Sequence, residues 1–297
     1  MLMSQPPSDA RQAAPLPRPA PYSFRHGAFD ITVLSDGFIT IPRDILLTDG
    51  APGEQAALLT RLDTAGDAVR PKANIPALRT GKDLILIDIG AGHKYQPTDG
   101  RLADNLAAAA INPGAVTKVV FSHAHPDHIW ATLDEIGRLR FPNAAYYVGA
   151  AEWDFWTDPD YLTKMPPALH EFARGAQRDL GAVRDRVVML QPGDEVVTGL
   201  RALATPGHTP GHLSFEAEGG DGLLIAVDVA NNEVVSFEHP DWRFGYDTDP
   251  DLAIRTRSKL LDRVAKDRTR LLGYHWAYPG VGFAERRGGG FHFTPSE

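Results

Sequence analysis

Several short apolar runs in this chain lead into residue types that can ligate metal, and this recurrence constrains the fold more than any other feature. Lys118-Val-Val-Phe121 runs into His123-Ala-His125-Pro-Asp127-His128. Leu200-Arg-Ala-Leu-Ala204 leads into Thr205-Pro-Gly-His208-Thr-Pro-Gly-His212, Leu223-Leu-Ile-Ala-Val227 ends at Asp228, and Leu271-Leu272 leads through Gly273-Tyr to His275. Short apolar runs bounded by turn signals read as buried strands. When such strands end at one sheet edge, the loops that follow stand where open α/β sheets carry ligands, held by a rigid scaffold. The chain has no cysteine. A disulfide framework, a thiolate site and a cysteine nucleophile are therefore excluded, and any metal is held by imidazole and carboxylate.

The remaining pattern is that of one α/β domain. Phe29-Asp-Ile-Thr-Val-Leu-Ser35 alternates as a half-buried strand, Asp36-Gly37 signals a turn, and Phe38-Ile-Thr-Ile41 resumes, which predicts a hairpin. Leu84–Asp88 is a buried strand ending in Gly90-Ala-Gly92. Leu102 and Leu106 share a helix face that Asn112-Pro113-Gly114 stops. Asp249-Pro250 predicts an N-cap followed by a helix with Ala253, Leu260, Leu261 and Val264 facing inward. Mixed hairpins and crossovers imply two sheets between helix layers in a single domain over 22–297. Residues 1–21 carry six prolines and no aromatic, so they predict a flexible arm that cannot bury enough apolar surface to offset its ordering entropy. A net charge of −8 argues against nucleic acid or an anionic membrane as partner. No apolar run is long enough to cross a bilayer or to form a signal-peptide core, which predicts a cytoplasmic protein, or a periplasmic one if an export signal has been removed.

Taken together, the six-residue His/Asp motif, the Thr-Pro-Gly-His repeat, the strand-terminal Asp228 and the late His275 resemble the metallo-β-lactamase superfamily, in that family's order. Phe29-Asp-Ile-Thr-Val-Leu-Ser-Asp-Gly37, Phe237-Glu-His-Pro240 and Pro279-Gly-Val-Gly282 are similar to the methyl parathion hydrolase-like and acyl-homoserine lactonase-like members. The resemblance implies a four-layer αββα sandwich and two divalent ions, with zinc the first choice over iron, manganese or cobalt. His123, His125 and His208 would hold one ion and Asp127, His128 and His275 the other, with Asp228 bridging both. It also implies a homodimer. A hydroxide bridging the ions would attack an ester, lactone or phosphotriester, with Asp127 shuttling a proton to the leaving group. Asp88, ending its strand, would either orient a ligand histidine or cap its turn.

The predicted substrate is small and neutral or apolar. Trp156 matches a pocket aromatic of the parathion hydrolase, and Trp130, Trp153 and Phe237 are further candidate pocket residues. Asn231 stands three residues after the bridging aspartate, where one lactonase group carries Tyr and the parathion hydrolase His. Ile129-Trp130 follow the metal motif where many relatives have small residues, narrowing the cleft. The alternatives are a glyoxalase II-like thioesterase, which shares the Thr-Pro-Gly-His repeat, and a non-catalytic metal-binding or ligand-sensing protein.

Overall fold

A computed structural model of the protein describes residues 19–296, so all but the last three residues of the predicted 1–21 arm lie outside the described residues. Two seven-stranded sheets carry the architecture. The first runs in the order Tyr22–His26, Phe29–Phe38, Lys72–Thr80, Asp83–Ile87, Lys118–Phe121, Ala145–Gly149 and Val187–Leu190. The second runs Glu195–Val197, Leu200–Ala204, Leu213–Ala217, Leu223–Val227, Arg270–Gly273, Val281–Arg287 and Gly290–Pro295. With helices outside each sheet, the result is an αββα sandwich.

Both sheets contain parallel pairs at the point where the site forms. Asp83–Ile87 pairs parallel with Lys118–Phe121, and Leu223–Val227 with Arg270–Gly273. A parallel pair requires a crossover. The helix Leu102–Ala108 lies in the first connection, and the helix Pro250–Asp267 in the second. All five residues of Leu223–Val227 are buried, which is why this strand reads as an unbroken apolar run rather than an alternation.

Local chemistry starts and stops the long second-sheet helix. The Asp249 carboxylate accepts from the Leu252 N–H at 2.9 Å, Pro250 takes the first helical position, and Arg268 ends the helix in the left-handed region at φ 54°. Its buried face is Ala253, Arg257, Leu260, Leu261 and Val264. Leu260, Leu261 and Val264 pack with Leu224, Leu271, Phe291 and Phe293 in a core of their own. The main core joins both sheets to the helix His170–Val183 through residues such as Ile31, Ile85, Phe121, Ala176, Leu180 and Phe215.

The hairpin expected around Asp36-Gly37 does not form. Phe29–Phe38 is one strand, and its true hairpin partner is Tyr22–His26. The Asp36 carboxylate does not turn its own chain. It accepts from the N–H groups of Ala91, Gly100 and Leu102 at 3.0, 3.1 and 2.7 Å. Gly37, at φ 102°, relieves a bulge against Lys72–Thr80. Ile41–Pro42 instead joins a small separate sheet with Ala68–Val69 and Thr64–Ala65. Among the described residues no helix is long and apolar enough to cross a membrane.

Candidate metal centre

The strand ends of both sheets meet at one point. After Phe121 the chain passes through Ser122 and His123 to His125, whose extended backbone precedes a single helical turn, Pro126–Ile129. Proline opens that turn, where a backbone N–H would have no helical partner anyway. The sharp change of direction separates His123 and His125 from Asp127 and His128. The structure brings His123, His125 and His208 together as one triad and Asp127, His128 and His275 as another, with candidate ligand atoms within 4.8 Å of one another in each.

Asp228 lies between them. Its Oδ2 is 3.9 Å from His123 Nε2, 3.4 Å from His208 Nε2, 3.5 Å from His128 Nε2 and 3.1 Å from His275 Nε2. Asp127 Oδ2 is 3.4 Å from His275 Nε2 and 3.7 Å from His128 Nε2. His123 Nε2, His128 Nε2, Asp127 Oδ2 and Asp228 Oδ1 are buried without a hydrogen-bond partner among the described residues. Buried polar atoms are almost always paired, so four orphans on four neighbouring side chains mark a missing partner. Their donor set, imidazole nitrogen and carboxylate oxygen, fits divalent cations.

The opposite nitrogens of these rings are already committed. His128 Nδ1 donates to Asp88 Oδ2 at 2.8 Å, and the same carboxylate accepts from the Ser122 N–H and hydroxyl at 2.8 and 2.7 Å. Ser122 Oγ in turn meets His123 Nδ1 at 3.0 Å. His208 Nδ1 pairs with Asp247 Oδ1 at 2.9 Å, and His275 Nδ1 with the Lys72 carbonyl at 2.7 Å. Such partners fix the tautomer and aim each free nitrogen inward. Asp88 neighbours His123 and His128 closely enough to form a third candidate triad, but its oxygens are occupied by these donors. Its geometry is that of an orienting carboxylate.

Burial alone would lower the His128 imidazole, but the carboxylates of Asp228, Asp127 and Asp88 around it raise it well above the usual range. Burial pushes Asp228 up, and the His275 and His128 rings hold it well below the ordinary carboxylate range. His123 and His125 are held low by burial first and by neighbouring imidazoles. His212, outside both triads, accepts from the Asp228 N–H at 3.2 Å and pairs with Thr205 Oγ1 at 2.8 Å. It braces the two loops, and burial lowers it to about 3.

The cleft over this centre is lined by Ile39, Ile41, Leu46, Pro71, Tyr95, Phe172, Phe244 and Tyr246, with His125, Asp127, His208, Asp228, Asn231 and His275 at its floor. Of the expected pocket residues only Asn231 is among them, with its amide 3.3 Å from Asp228 Oδ2. The other four do not line it. The Trp130 indole faces Gly175, where an added Cβ would sit 2.3 Å from the ring. Trp156 is buried and donates to Glu152, touching the site only through an edge-on contact with His125. Trp153 packs against the main core, and Phe237 is enclosed with Trp276 and Phe293. Aromatics at helical spacing went to the interior because the helices that carry them must cover a sheet. The cleft walls, and the orienting residues Ser122 and Asp247, come from scattered loops and short elements with no shared periodicity to read. Tyr274 is a ligand neighbour whose hydroxyl donates to the Asp127 carbonyl at 2.7 Å while its ring stacks on His128.

The Metallo-beta-lactamase superfamily model matches residues 73–275. The N-acyl homoserine lactonase AttM of Agrobacterium fabrum is 34% identical over 143 residues, 44% of this chain and 48% of that protein. The chain thus spans about half the length of the curated relatives it first matches. Among solved structures, AidC, a dizinc quorum-quenching lactonase in complex with a product, superposes with a TM-score of 0.87 at 28% identity, covering 94% of this chain and 98% of that one. The hydrolase AbOPH superposes with a TM-score of 0.86 at 28% identity and the same coverage. The family match runs from within the strand Lys72–Thr80 to His275 itself, and on that extent the chain belongs to the metallo-β-lactamase superfamily.

Proposed function

We propose that the cleft is the active site of a dinuclear metal-dependent hydrolase whose substrate is a neutral acyl lactone of the N-acyl homoserine class. The observation that carries this reading is Asp228 Oδ2, which lies 3.1 to 3.9 Å from imidazole nitrogens of both triads. A carboxylate so placed would be shared between the two candidate ion sites. His123, His125 and His208 would hold one ion and Asp127, His128 and His275 the other, with zinc favoured by the donor set. When bound, such ions supply Lewis acidity and lower the pKa of water toward neutrality.

The chain's own residues supply the rest. Asp127, whose Oδ2 faces the candidate ion site beside His275 and His128, would use its other carboxylate oxygen to take a proton from the attacking water and deliver it to the leaving oxygen. Among the described residues, Tyr95 and Tyr246 are the only hydroxyls lining the cleft. Burial first, and the charge of Asp127 next, raise both phenols, so they act as hydrogen-bond donors toward a substrate carbonyl. Ile39, Ile41, Leu46, Phe172 and Phe244 exclude water and take an acyl chain. No lysine or arginine lines the cleft among the described residues, which disfavours an anionic thioester of the glutathione kind. The names of AttM and AidC support the lactone among the bonds this chemistry would break.

Elemental analysis of protein purified without added metal tests the reading when paired with a panel of an acyl-homoserine lactone, an aryl ester, a phosphotriester and a glutathione thioester. The expected result is about two ions per chain and lactone turnover that a chelator abolishes and zinc restores. Two ions without turnover of any of these would favour a ligand sensor. No ion after reconstitution would overturn the site.

A further inference from the structure

Glu152, near the start of the helix Ala150–Thr157, is completely buried. Its Oε1 accepts from the Ala124 N–H at 2.9 Å and the Trp156 indole N–H at 2.5 Å. Its Oε2 accepts from the Thr209 hydroxyl at 2.7 Å and the Gly211 N–H at 3.1 Å. Ala124 separates His123 from His125, and Thr209 follows His208. The Trp156 ring that Glu152 holds meets the His125 ring edge-on, with centroids 5.6 Å apart. Every member of the triad His123, His125 and His208 is therefore one residue or one ring contact from a group bound to this carboxylate. The approach is close: a Cβ on Gly211 would fall 2.0 Å from the Glu152 nitrogen.

Taking a carboxylate out of water costs several kcal/mol unless it is compensated. No lysine or arginine forms an ion pair with Glu152 among the described residues. Compensation comes instead from four hydrogen bonds, all donated by groups on or beside the two ligand-bearing loops. We propose that Glu152 is the positioning residue for the ion held by His123, His125 and His208, clamping the two loops so that three nitrogens face one point before the ion arrives. The proposal rests on the reading of that triad as an ion site. The other triad is braced by Asp88, the Lys72 carbonyl and Tyr274, none of which hydrogen-bonds to Glu152, so the effect of Glu152 is selective.

Glutamine shows why an acid is required. All four partners donate, and only the Thr209 hydroxyl can rotate to accept. A Glu152→Gln side chain would turn its NH2 toward Thr209 and Gly211, leaving the Gly211 N–H facing another donor and loosening the His208 loop. Zn2+ affinity is measured by chelator competition in the full-length protein and in a His275→Ala background, where the second triad is incomplete. Glu152→Gln is expected to weaken one of the two ions, and the single ion of the His275→Ala protein, by about 10- to 100-fold, leaving the other constant unchanged. Thr209→Val, which removes one bond and keeps the volume, is expected to move the same constant by less, and it carries the test if Glu152→Gln does not fold. A purely structural role would lower the melting temperature of the ion-free protein and leave both constants as they were; that result, or equal weakening of both ions, overturns the proposal. Wild-type protein that binds no Zn2+ would instead overturn the reading of the site, and the proposal with it.

Discussion

Asp88→Asn exchanges one acceptor oxygen for an amide at the hub that orients His128. The backbone should not object: Asp88 sits at φ 60°, a conformation Asn tolerates as well as Asp. The Ser122 N–H, 2.8 Å from Oδ1, cannot turn away, so the amide oxygen must stay there. The NH2 then takes the place of Oδ2, facing His128 Nδ1 and the Ser122 hydroxyl, now 2.8 and 2.7 Å from that oxygen. The hydroxyl can rotate to accept. His128 can accept only by moving its proton to Nε2, the nitrogen that points into the site. Restoring a free Nε2 means giving up one hydrogen bond, about 1 kcal/mol, and leaving a buried donor unsatisfied, about 1–3 kcal/mol. A cost of about 2–4 kcal/mol corresponds to roughly 30- to 900-fold in affinity. Zn2+ titration by chelator competition reads it, with the melting temperature of the ion-free protein as the control for folding. An Asp88→Asn protein that folds normally and holds both ions within two-fold of wild type would refute the reasoning, because the Asp88–His128 hydrogen bond would then have no part in presenting Nε2.

Two further outcomes are expected. Tyr246 makes no hydrogen bond to another described residue and contributes its hydroxyl to the cleft, so Tyr246→Phe should leave metal content unchanged and lower kcat/KM for a lactone by about 5- to 30-fold, the loss of one or two kcal/mol of hydrogen bonding; unchanged kinetics would remove that hydroxyl from the mechanism. Burial first and the nearby Asp36 next raise Asp99 from 3.8 to about 8, so the folded state keeps a proton that the unfolded chain releases above about pH 4. Its stabilising contribution is complete below that pH and is lost as pH rises to about 8. Asp99→Asn stays neutral throughout, and should flatten the melting temperature between pH 4 and 8 and raise it at pH 8 by roughly 10 °C; parallel wild-type and variant curves would refute the assignment.

The strands and the metal motifs were legible because one physical cause writes both. A parallel strand buried on two faces must be continuously apolar, and the loop after it is where polar chemistry can stand. Lys118–Phe121 and Leu223–Val227 therefore announce their own bounds, and His123 and Asp228 stand just past them. The Asp249 cap was legible for the same local reason. Asp36-Gly37 was not, because a turn-forming pair and a buried acceptor for three distant N–H groups look alike in one dimension. Glu152 was hidden similarly: an acid in the first turn of a short helix is ordinary, and only the fold shows that its partners lie at Ala124, Thr209 and Gly211.

The cleft was the least legible part, and its origin explains why. The candidate ligands come from strand ends that the two sheets hold in register. The walls come from elsewhere: Ile39, Ile41 and Leu46 belong with Phe244 to a small satellite core, Tyr95 follows the glycine-rich loop, and Phe172 comes from the helix His170–Val183. These aromatics touch one another and the floor, with Phe172 against Tyr95, His125 and Tyr246, and Phe244 against His208. Loops held by a satellite core can change side chains without disturbing the sheet register that aims the histidines. Wall residues that touch no candidate ligand are thus separable in energy from the floor, since residues with no shared partners contribute nearly additively. Tyr246→Phe, on the wall, and Asp88→Asn, beneath the floor, share no partner, and their combined effect on kcat/KM at saturating zinc should therefore be the product of the two single effects.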